Sequence, residues 1–454
     1  MRRAVMMPIL AALVSSACVP TDFEDRRAEA QTVTLVPPDD YPAANFGEVV
    51  VGYGGTLSGM TATRIAGSAG STSPFSVFPL LIGDEVRLDT AVMDGCDAET
   101  PCDRGSSASL VGVPSYGGRA MCLMTASPET GQLKIRCEDD STRFETIPGP
   151  GGESFGESAA ALLSPHAWGV AIWGASVASG GNGAVYRLGN MGPPSRLDLA
   201  EGMGIGRDLG RAVAIGAVDA DTVLVAASAT GRVILATSDI APDLSITTRS
   251  RGCVDGSGSG FGQVLAIGDF DLDGAPDVAI ASGSGAGRSD LIQILAGSSM
   301  PAEGSCEGAW IPAITLECPS VAAAEGIDCV DFGAALAAGD VNADGIDDLI
   351  VGAPGADVDG VGGAGAVFVF AGDRVIADVG RDVAALRHSR PETGAGLGRA
   401  VAAVPGQTSE GTTRYEVAAG APGASRIYVF LCSPGLSADE PSSLPGSRCQ
   451  PLDN

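Results

Sequence analysis

Phe332-Gly333, Leu336-Ala337-Ala338-Gly339, the acidic run Asp340-Val341-Asn342-Ala343-Asp344-Gly345-Ile346-Asp347-Asp348, then Leu349-Ile350-Val351-Gly352-Ala353-Pro354 and Ala366-Val367-Phe368-Val369-Phe370 form one unit. The same order occurs upstream: Phe261-Gly262, Val264-Leu265-Ala266-Ile267-Gly268, an Asp-rich loop, Val278-Ala279-Ile280-Ala281 and Leu291-Ile292-Gln293-Ile294-Leu295. Weaker copies begin at Phe155-Gly156, Leu209-Gly210 and Leu397-Gly398, and Leu110-Val111-Gly112-Val113-Pro114 is the remnant of one more. The period is about 50–70 residues, as in propellers and arrays.

Each unit consists of short apolar runs separated by Gly, Pro and Asp, which are strand-length rather than helix-length. Val321 to Glu325 is the strongest helical candidate, and it is short. The runs are continuously apolar, so both sheet faces must be covered, as when blades stack face to face. The expectation is an all-β, single-domain β-propeller of six or seven four-stranded blades, seven being favoured. Six units are counted, and a seventh is completed if Phe46-Gly47-Glu48-Val49-Val50-Val51 pairs with a C-terminal strand. Closure of that kind removes exposed sheet edges.

Two loops carry chemistry. Asp269-Phe270-Asp271-Leu272-Asp273-Gly274-Ala275-Pro276-Asp277 and Asp340 to Asp348 both read D-x-[DN]-x-D-G-x-x-D. Oxygen ligands at the first, third and fifth places converge when Gly at the sixth permits a tight turn. The seventh-place carbonyl and the ninth-place carboxylate complete an oxygen cage suited to Ca²⁺. The candidate ligands are Asp269, Asp271, Asp273, the carbonyl of Ala275 and Asp277, then Asp340, Asn342, Asp344, the carbonyl of Ile346 and Asp348. Clustered carboxylates repel by about 1 kcal/mol per close pair even in water, and a divalent cation turns that cost into attraction. An EF-hand places Glu at the twelfth position, where this chain has Ile280 and Val351, so each loop feeds a strand instead. A solvated acidic turn is the alternative for either loop alone; recurrence at the same place in two repeats favours two Ca²⁺ sites. Asp219-Ala220-Asp221-Thr222 occupies the matching place in an earlier repeat without the third Asp and the Gly, and no metal is expected there.

Phe-Gly, the Asp loop and Gly-Ala-Pro in fixed order resemble FG-GAP repeats, the units of the integrin α-subunit N-terminal propeller. Phe332-Gly333 through Gly352-Ala353-Pro354 is the best match, while Ala281-Ser282 replaces Gly-Ala-Pro in the preceding unit. The resemblance is clear over about residues 155–430 and implies a seven-bladed propeller with structural calcium on one face and partner recognition on the other. It covers fold and metal, not ligand. No inserted domain and no Arg-Gly-Asp is present, so integrin function does not transfer.

Composition narrows the function classes. The chain has 454 residues and a net charge of −28, which repels nucleic acid and favours divalent cations. Only His166 and His388 are present, far apart in sequence, which argues against a zinc centre or histidine acid/base chemistry. Gly360-x-Gly362-x-x-Gly365 has dinucleotide-fingerprint spacing but precedes a strand, so it reads as a loop. No P-loop motif is present in the sequence. Trp168 and Trp173 read as blade core, although they and Trp310 have the chemistry to stack on sugars.

Arg2-Arg3, the apolar stretch Ala4 to Val14 and Ser15-Ser16-Ala17-Cys18 read as an export signal (residues 1–18) ending in a lipobox-like site, with Cys18 the lipidated residue. Ser15 stands where a lipobox usually carries Leu, and ordinary cleavage is the alternative. Residues 19–44 read as a polar linker, 45–432 as the propeller and 433–454 as a tail. The ten other cysteines are expected to pair locally: Cys96 with Cys102, Cys122 with Cys137, Cys253 with Cys306, Cys318 with Cys329, and Cys432 with Cys449. Together these readings predict an exported, monomeric, non-enzymatic module that binds protein or polysaccharide. It would sit at the outer membrane or cell surface, or be secreted or periplasmic, and touch the membrane only through the lipid. The competing reading is a calcium-dependent lyase or hydrolase acting on carbohydrate.

Overall fold

The computed structural model describes residues 30–432, apart from intervening segments of which 95–108, 373–385 and 319–326 are the longest. The export signal, Cys18, the tail, His166, Trp168, Trp310, the Cys96–Cys102 pair, Cys449 and the helix candidate at 321–325 lie outside the described residues.

The apolar runs form strands because both of their faces are covered. Every residue of Thr222–Ala229, Asp348–Ala353 and Ala366–Phe370 is buried. Among the described residues the strands assemble into seven sheets of four or five strands, paired antiparallel except for Cys306–Glu307 against Ile246–Asp255. The fold is an all-β propeller. Its innermost strands are Val49–Leu57, Ser109–Tyr116, Ser158–Leu163, Val213–Ala217, Gly260–Gly268, Ala335–Gly339 and Val401–Gln407. Each contacts the next, and Val401–Gln407 contacts Val49–Leu57, so the ring closes. The core is divided in the same way, with a separate apolar cluster at each boundary between neighbouring sheets.

Four sheets are continuous in sequence, two are interleaved because Cys306–Glu307 leaves the segment between Arg288–Leu295 and Ile314–Leu316 to pair into the preceding sheet, and the remaining one joins the two ends of the chain. Here the structure corrects two expectations. The strand that pairs with C-terminal Arg426–Cys432 is Ala30–Leu35, inside the stretch read as a linker. Val49–Leu57 instead begins a sheet of its own. Leu35 is buried at that seam with Phe46 and Ile427.

The Phe-Gly and Gly-Ala-Pro signals have a packing cause. Phe46, Phe155, Phe261 and Phe332 are all buried, each contributing about 1.5–3 kcal/mol of apolar burial. Phe332 meets Phe368 and Phe370 edge-on at 5.8 and 6.1 Å. Within its sheet, the Gly398 amide donates to the Gly420 carbonyl at 2.9 Å. Across the boundary, a Cβ on Gly352 would stand 2.0 Å from the Gly398 carbonyl oxygen, and one on Gly420 would stand 1.8 Å from that of Gly47. The glycine of one motif therefore receives the backbone of the other motif from the next blade, including across the seam.

Cys122–Cys137, Cys253–Cys306 and Cys318–Cys329 form disulfides as expected. The first joins adjacent antiparallel strands of one sheet, and the second joins the parallel strands Ile246–Asp255 and Cys306–Glu307 of another. These disulfides are consistent with an extracellular protein. Among the described residues, no helix is long and apolar enough to cross a membrane.

Candidate metal centre

The innermost strands Gly260–Gly268 and Ala335–Gly339 each run into an Asp loop, which returns as the second strand, Asp277–Gly285 or Asp348–Ala353. The loops curl because their acids cap their own backbone. Asp269 Oδ2 accepts from the Gly274 amide at 3.1 Å, Asp271 Oδ1 from Asp273 at 3.1 Å, and Asp273 Oδ1 from Ala275 at 2.7 Å. In the second loop Asp340 Oδ2 accepts from Gly345 at 2.9 Å, Asn342 Oδ1 from Asp344 at 2.9 Å, and Asp344 Oδ1 from Ile346 at 2.9 Å. Gly274 and Gly345 have φ of +81° and +90°, the left-handed region that the turn demands.

This curl gathers Asp269, Asp271 and Asp273, one carboxylate oxygen of each lying within 4.8 Å of the others. In the second loop Asn342 Nδ2 donates to Asp344 Oδ2 at 2.7 Å, and Asp340 Oδ1 accepts from the Asp344 amide at 3.1 Å. The ninth-place acids are set apart. Asp277 is buried, with Oδ2 accepting from the Phe270 amide at 2.9 Å and Oδ1 from Gly297 at 2.7 Å. Asp348 is buried likewise, with Oδ2 accepting from Val341 at 2.8 Å and Oδ1 from Gly372 at 3.0 Å. Each thus ties the loop to the chain leaving the third strand of its blade.

Burying several acids together makes ionisation costly. Burial pushes the Asp277 carboxyl up to about 7, despite the Gly297 and Phe270 amides, with Asp271 and Asp273 adding repulsion. Asp348 is raised well above the usual range for the same reason. Asp271 is raised by burial and by the charges of Asp273 and Asp269, and Asp347 by burial and by Asp340 and Asp269. Asp269 Oδ1 is buried without a hydrogen-bond partner. A divalent oxygen-seeking cation fits this set: it would hold the orphaned Oδ1 and offset the repulsion among Asp269, Asp271 and Asp273.

Both loops border the axial cavity, a space of 450 Å³ walled mainly by small apolar residues of the innermost strands, with Asp269, Pro276, Asp347 and Tyr415 in its lining. Burial, with Asp347 and Asp340, pushes the Tyr415 hydroxyl up to about 12. Trp173 lies in the core, its ring tilted 40° against that of Phe155 at 6.0 Å, as its sequence setting indicates.

Sequence reading missed two acids. Asp347 sends its carboxylate to the preceding blade, where Oδ2 accepts from the Asp269 amide at 3.1 Å. Its position beside Asp348 offers no sign of that reach. Glu416 is buried opposite Val404, the register at which Asp277 faces Gly268 and Asp348 faces Gly339. Its strand, Thr413–Ala421, ends in Gly420-Ala421-Pro422, and counting back from that motif is the signal that finds it.

Residues 332–370 match the FG-GAP repeat family, the same unit whose Asp loop and paired glycines are described above. The chain is therefore a β-propeller that carries an FG-GAP repeat. Among solved structures it is similar to the Cps50 (Swd1) β-propeller domain of Myceliophteria thermophila, at 10% identity and a TM-score of 0.43, covering 88% of this chain and 99% of that one. It is also similar to the Aleuria aurantia lectin in complex with alpha-methyl-L-fucoside, at 10% identity and a TM-score of 0.38, covering 71% of this chain and 91% of that one. No curated protein sequence matches the chain.

Proposed function

We propose that this protein is a calcium-stiffened, non-enzymatic binding module that works outside the cytoplasm. The observation that carries the reading is the gathering of Asp269, Asp271 and Asp273 around a buried, unpartnered Asp269 Oδ1. In this reading Asp269, Asp271, Asp273, the Ala275 carbonyl and Asp277 hold one Ca²⁺. Asp340, Asn342, Asp344, the Ile346 carbonyl and Asp348 hold a second. When bound, the ion neutralises each acidic loop and fixes its fold. The backbone hydrogen bonds of Asp277 and Asp348 leave further lone pairs on their oxygens for this purpose.

The partner is a protein or a polysaccharide held by the loops of the propeller faces, with the chain acting as a monomer. Export through residues 1–18, with Cys18 as a lipid anchor to the outer membrane or cell surface, completes the reading and agrees with the disulfides. Extracellular calcium modules bind at about 10⁻⁴ to 10⁻³ M. At 10 mM Ca²⁺ each site then adds about 1.5–3 kcal/mol of stability. Thermal unfolding of the oxidised protein in 10 mM Ca²⁺ and in EDTA tests this. A higher melting temperature in calcium is expected, and identical curves would reduce both loops to acidic turns. Immobilised protein and polysaccharide panels, screened in calcium and in EDTA, then test the binding role. Turnover of a polysaccharide would overturn the non-enzymatic reading.

A further inference from the structure

The two Asp loops stand on neighbouring blades and touch. The Asp347 amide donates to the Asp269 carbonyl at 3.1 Å, and the Asp269 amide donates back to Asp347 Oδ2 at 3.1 Å. One residue of the second loop thus clamps both backbone polar groups of the residue that opens the first. Gly268 makes room for this, since a Cβ there would lie 3.1 Å from Asp347 Cβ.

The neighbouring boundaries give internal controls. Between the second loop and the following blade the same main-chain bond exists, from the Tyr415 amide to the Asp340 carbonyl at 2.9 Å. Tyr415 has no carboxylate to return to the Asp340 amide. At the preceding boundary Pro276 takes the place of Asp347, and proline has neither an amide N–H nor a side-chain acceptor. The reciprocal clamp therefore joins the two Asp loops and runs from the second to the first.

We propose that Asp347 is a positioning residue through which calcium in the loop 340–348 tightens calcium binding in the loop 269–277. The inference rests on the calcium reading above. Asp347 lies between two candidate ligands of the second loop, the Ile346 carbonyl and Asp348. An ion held there fixes the backbone on both sides of Asp347 and so fixes the clamp. Asp269, held at its amide and carbonyl, then presents Oδ1 to the first site with less left to order on binding. Such coupling is reciprocal, so calcium in the first loop tightens the second by the same factor.

The test is a calcium titration of the full chain, with disulfides oxidised, followed by hydrogen-exchange mass spectrometry of the segment 269–277. Protection of this segment in the parent protein gives the midpoint of the first site. Asp344→Ala, which disables the second loop, is expected to raise that midpoint about tenfold, within the usual range of coupling between sites. Asp347→Ala should raise it to the same extent, and the double variant no further. Asp347→Asn keeps an acceptor for the Asp269 amide and should recover most of the affinity. Equal loss in Asp347→Asn and Asp347→Ala would mean that charge alone matters, overturning the positioning role. An unchanged midpoint in Asp344→Ala would overturn the coupling while leaving the calcium sites intact. Absence of calcium protection in the parent at 10 mM would instead defeat the calcium reading, and the coupling with it.

Discussion

The turn at residues 218–221 and the loop at 269–276 join the same two strands of neighbouring blades, and both are acidic, yet they treat their acids in opposite ways. In the first, the chain turns directly: the Val218 amide donates to the Thr222 carbonyl at 2.9 Å and the Asp221 amide to Asp219 Oδ1 at 2.9 Å. Asp219 is exposed, and that backbone bond, with help from the Thr222 hydroxyl, holds its carboxyl below the ordinary value. In the second, the acids crowd together, and those of Asp271 and Asp277 rise instead. The register explains the contrast. Gly216 faces Leu224 across the first hairpin, whereas Gly268 faces Asp277 across the second. Where the shorter turn plants a leucine in the blade, the longer loop plants a carboxylate. Acidic residues alone do not make a metal centre. A candidate centre also needs a buried acid at the base of the loop, with further acids curled above it.

This comparison is broken most severely by giving the longer loop the leucine of the shorter one. Asp277→Leu leaves the Phe270 and Gly297 amides without their acceptor, at about 1–3 kcal/mol each. A loss of about 2–5 kcal/mol is expected in urea unfolding in EDTA, and a larger one in 10 mM calcium, where the ion's contribution is lost with its ligand. Asp273→Ala removes a loop acid while keeping the base. It should abolish the calcium-dependent gain of that site, about 1.5–3 kcal/mol at 10 mM, and leave unfolding in EDTA nearly unchanged.

A pH series sharpens the comparison without touching calcium. In EDTA, folded Asp277 keeps its proton up to about pH 7, whereas the unfolded chain releases it near 3.8. Between those values the folded state binds more protons, so this contribution to stability is present below 3.8 and is lost as pH rises towards 7. Melting temperature against pH, compared with Asp277→Asn, should show a steeper decline in the parent over that window. The smallest effect belongs to the shorter turn: Asp221→Ala should shift stability by no more than about 0.5 kcal/mol and leave the calcium response as it was.

Much of this was legible in the sequence because the informative residues are local. Phe332-Gly333, Asp340 to Asp348 and Gly352-Ala353-Pro354 lie along one hairpin and its entrance, so one blade announces itself. The loops were readable for the same reason, as each curls on hydrogen bonds between near neighbours. What escaped depends on contacts between blades. Ala30–Leu35 carries no Phe-Gly or Gly-Ala-Pro signal, and only pairing with Arg426–Cys432 makes it a strand. Asp347 gains its role from the backbone of Asp269, in another repeat. Cys253–Cys306 was paired correctly from proximity in sequence, but the parallel addition of Cys306–Glu307 to the edge of the preceding sheet, which brings the two sulfurs together, was not legible there.

The seam between Ala30–Leu35 and Arg426–Cys432 has a mechanical consequence. The strands are antiparallel, with Ala30 opposite Cys432 and Leu35 opposite Ile427, so the two ends of the ring leave it at the same corner. A pull between those ends loads the pairs one after another from that corner, in an unzipping geometry that resists little force. A pull between one end and an object gripped elsewhere on the ring spreads across whole blades. A tethered propeller of this build bears tension well when its cargo is held by its faces and poorly when the cargo is attached to its tail.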